Sequence, residues 1–530
     1  MTARAAVANA LWLAASWRAA RRFARALPDP AAAQAAWLRT TLVRHADSEF
    51  GRRHDIASLG TASDFARHVP LSTWADVEPA VDRIAAGHRD VLATGPVTHL
   101  APTSGSTGAR KLVPFTAGLQ AGFNAAVSAW LHDLVRQRAR LPWGPAWWSI
   151  SPLADEGGTG PTAVPIGHAD DTEYLGASRG WLVRHALAVP SGVQHVRDVE
   201  AFRRLTLLAL LRARDLRMIS IWHPSFLDLL LEAAEPAWPE LVDAVRGGHC
   251  PWRDALPPAA RPAWQARPDA ARAAELRRLG PGDWSSWWPD LQVLSCWGEQ
   301  AAEPGWRSLV RRLPSVLVQP KGLLATECAV TIPWHGTHPL AVTSHYFEFL
   351  DARGEVRGVH ELELGGEYEV VVTNGGGLWR YRLGDQVACT GFVARTPALR
   401  FLGRAGRVSD LRGEKLGEPF VAAVLRDLWP VGASRPWAAL RPSSGTPPAY
   451  EIVVAVDHLP GAGELARQAD AALAANPHYA LARRLGQLGP VRALAIGRRA
   501  DVEALRARRG RLGDAKPGVL LDAAPERLDA

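Results

Sequence analysis

Residues 10–27 set Leu11, Trp12, Leu13, Trp17 and Phe23 among Arg18, Arg21, Arg22 and Arg25, a spacing that predicts an amphipathic helix. A secretory leader is the rival reading, with Arg4 as its basic start. Arg18 interrupts the apolar stretch, however, and no small-residue cleavage site stands out. Residues 117–138 again carry helical spacing. The Leu-rich stretch 203–233 predicts two buried helices separated by a short strand, Met218 to Trp222. Residues 252–290, rich in Pro, Trp and Ala, read as an irregular helical insertion. Leu291 to Trp297 reads as a strand ending in a loop, and Tyr368 to Thr373 as another, followed by Asn374 and three glycines. Leu378 to Cys389 predicts a strand pair around Gly384-Asp385.

From about Leu411 the pattern changes. Glu451 to Val456 and Val491 to Ile496 read as strands, 462–475 and 501–508 as helices, which makes a small α/β unit. The expected division is residues 1–411 and 412–530, with the charged loop Arg412 to Lys415 as hinge. A chain of 530 residues suits one large and one small domain. No internal repeat is visible.

Composition narrows the functional classes. The net charge is +8, but Arg is spread along the chain, and neither zinc-finger spacing nor an RNP-like run occurs. Nucleic acid is therefore not an expected partner. No apolar run reaches the ~18 residues of a membrane span, so no membrane partner is expected and the chain reads as cytoplasmic. Cys250, Cys296, Cys328 and Cys389 form no C-x-x-C pair and read as free thiols of a reducing compartment. Of the 61 basic residues only Lys111, Lys321, Lys415 and Lys516 are lysines. In a chain that writes nearly every cation as Arg, a retained Lys is a candidate for work that needs a compact point charge on a flexible stem.

The segment Thr103 to Lys111 (TSGSTGARK) concentrates small residues, backbone N–H groups, hydroxyls and one cation, as a phosphate-binding nest requires. An ordinary polar turn is the bland alternative. Walker A spacing is absent, which disfavours a P-loop enzyme. Further along stand Lys321-Gly-Leu-Leu-Ala-Thr326-Glu327, Tyr346-Phe-Glu-Phe349, Trp379-Arg-Tyr-Arg-Leu-Gly384-Asp385 and Arg400-Phe-Leu-Gly-Arg404. Gly413-Glu-Lys415, Asn476-Pro-His-Tyr479 and Gly513-Asp-Ala-Lys516-Pro517 follow.

In order and spacing these segments resemble the Gretchen Hagen (GH3) family of acyl acid amido synthetases, within the adenylate-forming superfamily. The likeness covers nearly the whole chain and is weakest over 235–290. It implies an α/β fold with a large N-terminal domain of helix-flanked β-sheets plus a barrel-like part, and a small mobile C-terminal domain. It also implies ATP- and Mg²⁺-dependent activation of a carboxylic acid as acyl-AMP, then transfer to an amine, with an amino acid expected. Transfer to a thiol such as coenzyme A, or an acyl-binding relative without catalysis, are the rival readings.

By the same resemblance Ser104, Gly105, Ser106, Thr107 and Gly108, with Lys111, would hold the β and γ phosphates. Glu327 would ligate Mg²⁺, Thr326 would meet the α-phosphate or acyl carboxylate, and Asp385 the ribose hydroxyls. Arg404 is placed at ribose or phosphate, Lys516 at the acyl-phosphate bond, and Lys415 at the hinge. The superfamily's adenine-stacking Tyr is replaced by Leu323, so Tyr346 or Phe347 is expected beside the base. Trp147, Trp148, Trp222 and Trp297 are candidates for the acyl pocket. The sequence singles out neither the acid, nor the amine, nor an oligomeric state.

Overall fold

The computed structural model describes residues 2–103, 111–149, 162–167, 185–299, 302–404, 408–409, 411–412, 414, 416–429, 436–443, 445–456, 459–484, 486–496 and 518–521. The chain opens with a helix over Thr2–Ala26, whose Ala5, Ala8, Trp12, Ala20 and Phe23 are buried along one stripe while the arginines face out. Asp29 caps the next helix, Pro30–His45, accepting from Ala32 N at 3.0 Å, with Pro30 at its first position. Among the described residues no helix is long and apolar enough to cross a membrane.

Strands β1 (Val97–Pro102) and β2 (Leu112–Thr116) pair antiparallel and run into the helix Ala117–Gln137. Four parallel strands follow: β3 (Ala146–Trp148), β4 (Met218–Ser220), β5 (Val293–Cys296) and β6 (Leu317–Pro320), adjacent in that order. Parallel pairing puts all four carboxyl ends on one edge. Period-2 alternation gives the sheet two different faces. Trp147, Ile219, Leu294 and Val318 lie in register on one face, inside a core built with the helices Val199–Arg212 and Ala234–Gly247 and with Trp264, Trp287 and Trp288. Trp148, Ser220, Ser295 and Gln319 lie in register on the other.

The barrel-like part is a five-stranded antiparallel sheet of β7 (Tyr346–Leu350), β8 (Val356–Gly358), β9 (Glu367–Thr373), β10 (Tyr381–Val393) and β11 (Thr396–Arg404), ordered β11-β10-β9-β7-β8. Phe347, Phe349, Val370, Val372 and Val387 share the largest core with Phe115, Leu119 and Phe123. Here the sequence reading needs a correction. Gly384-Asp385 is not a turn between two strands but a bulge inside the single strand β10. The register with β9 shifts between Arg382 and Gln386, and Gly384 takes φ +77°, a conformation glycine adopts without Cβ strain.

A two-residue pair, β12 (Val408–Ser409) with β13 (Leu416–Gly417), precedes a three-stranded sheet. In it β14 (Ala438–Ser443) pairs antiparallel with β15 (Ala449–Val454), which pairs parallel with β16 (Arg492–Ala495). This sheet and the helices Glu418–Asp427, Ala462–Leu473 and Pro477–Arg484 close over a separate core that includes Leu416, Tyr450, Ile452, Tyr479 and Leu520. The expected helix over 501–508 falls outside the described residues. The four cysteines are free thiols, three of them buried.

Candidate active site

After β6 the chain folds into a tight hairpin. Ala325 N donates to Cys328 O at 2.9 Å, Cys328 N returns to Ala325 O at 3.3 Å, and Leu324 bridges Ala329. Thr326 and Glu327 are therefore the two central residues of a turn, with Thr326 half-buried and Glu327 4% exposed. Cys328, Ala329 and Val330 anchor the turn in the core.

Asn374, fully buried, fixes that turn to the third motif. Its side-chain nitrogen donates to Glu327 O at 2.8 Å, and its Oδ1 accepts from Gly376 N at 2.9 Å and Leu378 N at 3.1 Å. The first motif's strand reaches the same place. Thr116 Oγ1 caps the helix Ala117–Gln137, accepting from Leu119 N at 3.2 Å, and donates to Gly375 O at 2.7 Å. Gly118 and Gly375 pass so closely that a Cβ on Gly118 would stand 2.6 Å from Gly375 O. The glycines after Asn374 thus serve backbone approach.

Lys111 continues the pairing of β1 with β2: its carbonyl accepts from Thr103 N at 2.9 Å. Its ammonium donates to Tyr381 Oη at 3.2 Å, with the Tyr381 ring centroid 5.9 Å away. Trp379 to Arg382 are held in turn by Ser72, which bonds Arg380 O, Arg382 N and Trp379 O within 3.0 Å. Arg380 bonds the first helical region and β7 instead. It clamps Glu348 through two 2.8 Å bonds and donates to Ala66 O and Val69 O at 2.7 Å. Burial holds the Glu348 carboxyl above its usual range, and the Arg380 guanidinium opposes that rise. Glu369 pairs with Arg382 through bonds of 2.7 and 2.9 Å. Asp385, fully buried in the β10 bulge, stands opposite Arg404 in the register with β11.

Two residues expected at the site, Tyr346 and Trp147, lie in apolar clusters. Tyr346 packs against the second helix. On β7 it alternates with Phe347 and Phe349, faces the helix Pro30–His45, and packs with Leu38, Leu42, Phe65 and Trp379, its ring 5.9 Å from Phe65. Trp147 sits on the helical-core face of the parallel sheet, opposite Trp148. Leu323, in place of the stacking Tyr, is buried in the main core, as is Phe347. Residues 104–108, Lys415 and Lys516 lie outside the described residues, as does the Arg404 side chain.

The remaining tryptophans gather at the carboxyl edge of the parallel sheet. Trp148 ends β3, Trp222 follows β4, and Trp297 follows β5, where its ring stands 5.8 Å from Phe401 of β11. Between them Lys321, 8% exposed, folds back over the polar face. Its Nζ donates to Ser220 Oγ at 2.7 Å and Ser295 Oγ at 3.4 Å, and lies 5.3 Å from the Trp130 ring and 5.7 Å from the Trp222 ring. Burial pulls its ammonium down from 10.5 to about 8.

This architecture has known counterparts. The model of the GH3 family N-terminal domain matches residues 19–316, and that of the GH3 family central domain matches residues 338–404. The chain belongs to the GH3 family. Among curated relatives, the probable indole-3-acetic acid-amido synthetase GH3.12 of Oryza sativa subsp. japonica is 27% identical over 75% of this chain and 72% of its own length. Jasmonoyl--L-amino acid synthetase JAR6 of Nicotiana attenuata is 42% identical over a short stretch, 13% of this chain and 14% of its own. The solved structure of the acyl acid amido synthetase AtGH3.15 in complex with 2,4-DB superposes with TM-score 0.82 at 20% identity, covering 96% of this chain and 94% of that one. A 2-hydroxyisobutyryl-CoA ligase in its postadenylation state shares the broader fold, with TM-score 0.54 at 12% identity over 94% of this chain and 91% of its own.

Two residues of this GH3 chain were missed as functional groups by the sequence reading. In the sequence Asn374 is only the residue before three glycines, and nothing local announces a bond to Glu327. Glu414 stands in the expected hinge loop. It is fully buried and accepts from Leu411 N at 2.8 Å, Arg412 N at 2.7 Å and the Tyr450 hydroxyl. It therefore ties the stretch before Lys415 to β15 of the C-terminal unit.

Proposed function

We propose that this GH3 protein activates a carboxylic acid with ATP and passes the acyl group to an amine, with an amino acid as the acceptor class its named relatives use. The observation that carries the reading is convergence. Asn374 ties the Thr326-Glu327 turn to the glycines before Trp379, Thr116 ties those glycines to the phosphate-loop strand, and Lys111 meets Tyr381.

In the first half-reaction an acid carboxylate oxygen attacks the α-phosphorus of ATP, and pyrophosphate leaves. Two anions must meet, so cationic and N–H groups have to offset their repulsion. Lys111 and the backbone and hydroxyls of 104–108 are assigned to the β and γ phosphates, Thr326 to the α-phosphate or acyl carboxylate, and Asp385, with Arg404 near it, to the ribose. Glu327 is assigned to Mg²⁺, which supplies electrostatic shielding of the phosphates. The carboxylate suits a hard cation, and a magnesium ion commonly draws most of its oxygens from phosphate and water. In the second half-reaction the amine nitrogen attacks the acyl carbonyl, the acyl–oxygen bond breaks, and AMP leaves. Residues 412–530, hinged at Lys415, are assigned to a rotation that carries Lys516 to and from the acyl-phosphate bond.

Acid-dependent exchange of pyrophosphate into ATP tests the first half. Asp385→Ala and Glu327→Ala are expected to lower exchange by about a hundredfold or more, and wild-type rates in both would refute the assignment. Lys516→Ala is expected to slow exchange while sparing amide formation from supplied acyl-AMP. Supplying amino acids or coenzyme A identifies the acceptor, and thioester without amide would overturn the second half.

A further inference from the structure

Lys321 belongs to none of the roles above. In open parallel sheets ligands bind at the carboxyl ends of the strands, and Lys321 is the first residue past the end of β6. Its ammonium does not point out over that edge. Ser220, Ser295 and Gln319 form one register row, a step inward from Cys296 and Pro320, and Nζ bonds the two serines of that row. The cation thus lies over the polar face of the sheet, on the row of the two serines. Aromatic rings surround the same place. Trp130 donates to Gln319 Oε1 at 2.7 Å and lies 6.0 Å from Trp148, while Trp222, 40% exposed, forms the outer wall.

Among the described residues no carboxylate pairs with Lys321. Its partners are two neutral hydroxyls and two indole rings. A cation kept from water is normally compensated by an anion, and burial already depresses its proton affinity. The opposite face of the same strands is wholly apolar, so the charge is confined to this side of the sheet. A flat anion brought by a ligand would supply the missing compensation among the indoles.

We propose that Lys321 is the distal specificity residue of the acid-binding site and selects aromatic acids carrying a second carboxylate. The activated carboxylate lies toward Thr326, and the second accepts hydrogen bonds from the Lys321 ammonium, joined by Ser220 and Ser295. This rests on the acid-activating reading, so the test includes a measurement independent of ATP.

Benzoate and terephthalate differ only by the second carboxylate and are the first probes, with phenylacetate and 1,4-phenylenediacetate as a longer pair. Calorimetric binding to the nucleotide-free protein is expected to favour the diacid of at least one pair by about 10- to 100-fold. The same preference should appear in kcat/KM for exchange. Lys321→Met is expected to collapse the diacid-to-monoacid ratio by that factor, with Lys321→Arg between. The wild-type ratio requires no variant to fold. A preference for monoacids, equal loss of both classes in Lys321→Met, or binding of neither diacid overturns the proposal. Lys321-dependent diacid binding without any exchange would instead refute the adenylation reading and leave this one standing.

Discussion

Two buried cations divide the molecule between them. Arg380, in the third motif, meets the Glu348 carboxylate in a two-bond fork and directs Nη1 to Ala66 O and Val69 O. Lys321, just past β6, meets only serine hydroxyls and indole faces among the described residues. Both are at least nine-tenths buried. A planar fork whose carboxylate partner is already in place has no charge left to offer a ligand. A point charge with soft neighbours does. Motif membership alone would rank them the other way, because Arg380 sits between Trp379 and Tyr381 in the better-matched segment. Arg380 is structural: it joins the helix Ala62–His68 to β7 and β10, and so positions Tyr381 for Lys111.

The sharpest way to break this contrast is to remove one side of the compensated pair. Glu348→Gln leaves the Arg380 guanidinium buried against a neutral amide. Loss of one partner from a buried ion pair costs about 3–5 kcal/mol. Urea unfolding should register that cost. A variant within about 1 kcal/mol of wild type would mean the pair is not the anchor described here.

Next in size is Asn374→Ala. It strands Glu327 O and the amides of Gly376 and Leu378 without their partner, and each unsatisfied buried group costs about 1–3 kcal/mol before relaxation. A net loss of about 2–4 kcal/mol is expected. Exchange activity measured well below the unfolding midpoint should fall with it, because the Glu327 turn loses its tether. Lost stability with unchanged exchange would separate the tether from the site.

How far the sequence reaches follows from where each constraint is stored. Helices and strands with strong periodicity, such as Ala117–Gln137 or Glu367–Thr373, are written in consecutive residues and were legible. The Gly384 bulge was not. A glycine between two apolar strand halves reads as a turn, and only the neighbours β9 and β11, pairing on both sides, keep the strand running through it. The motifs single out Glu327, Asp385 and Lys111 as candidates. They could not say that Asn374 binds Glu327 O, since a contact across 47 positions leaves no local trace. The packing of Tyr346 and Trp147 was illegible for a simpler reason. An aromatic residue near a motif can sit on either face of its strand, and alternation sent these two into apolar clusters.

The smallest effect bears most directly on Lys321, because it tests its charge without any ligand. Burial lowers its ammonium from 10.5 to about 8. Below pH 8 folded and unfolded chains both carry the proton, so the folded state bears the full cost of a desolvated cation. Between about 8 and 10.5 the unfolded chain holds more protons than the folded one, and stability rises with pH. The neighbouring Cys296 thiol, pushed up by burial to about 12, stays protonated through this window and adds no competing titration. Wild type should therefore gain about 2 kcal/mol relative to Lys321→Met between pH 7.5 and 9.5, read as the difference of their urea midpoints. Arg380 offers the contrast, since the Glu348 carboxylate already compensates it. Parallel pH profiles for wild type and Lys321→Met would mean that the ammonium is already compensated in the fold, and the distinction between the two cations would vanish.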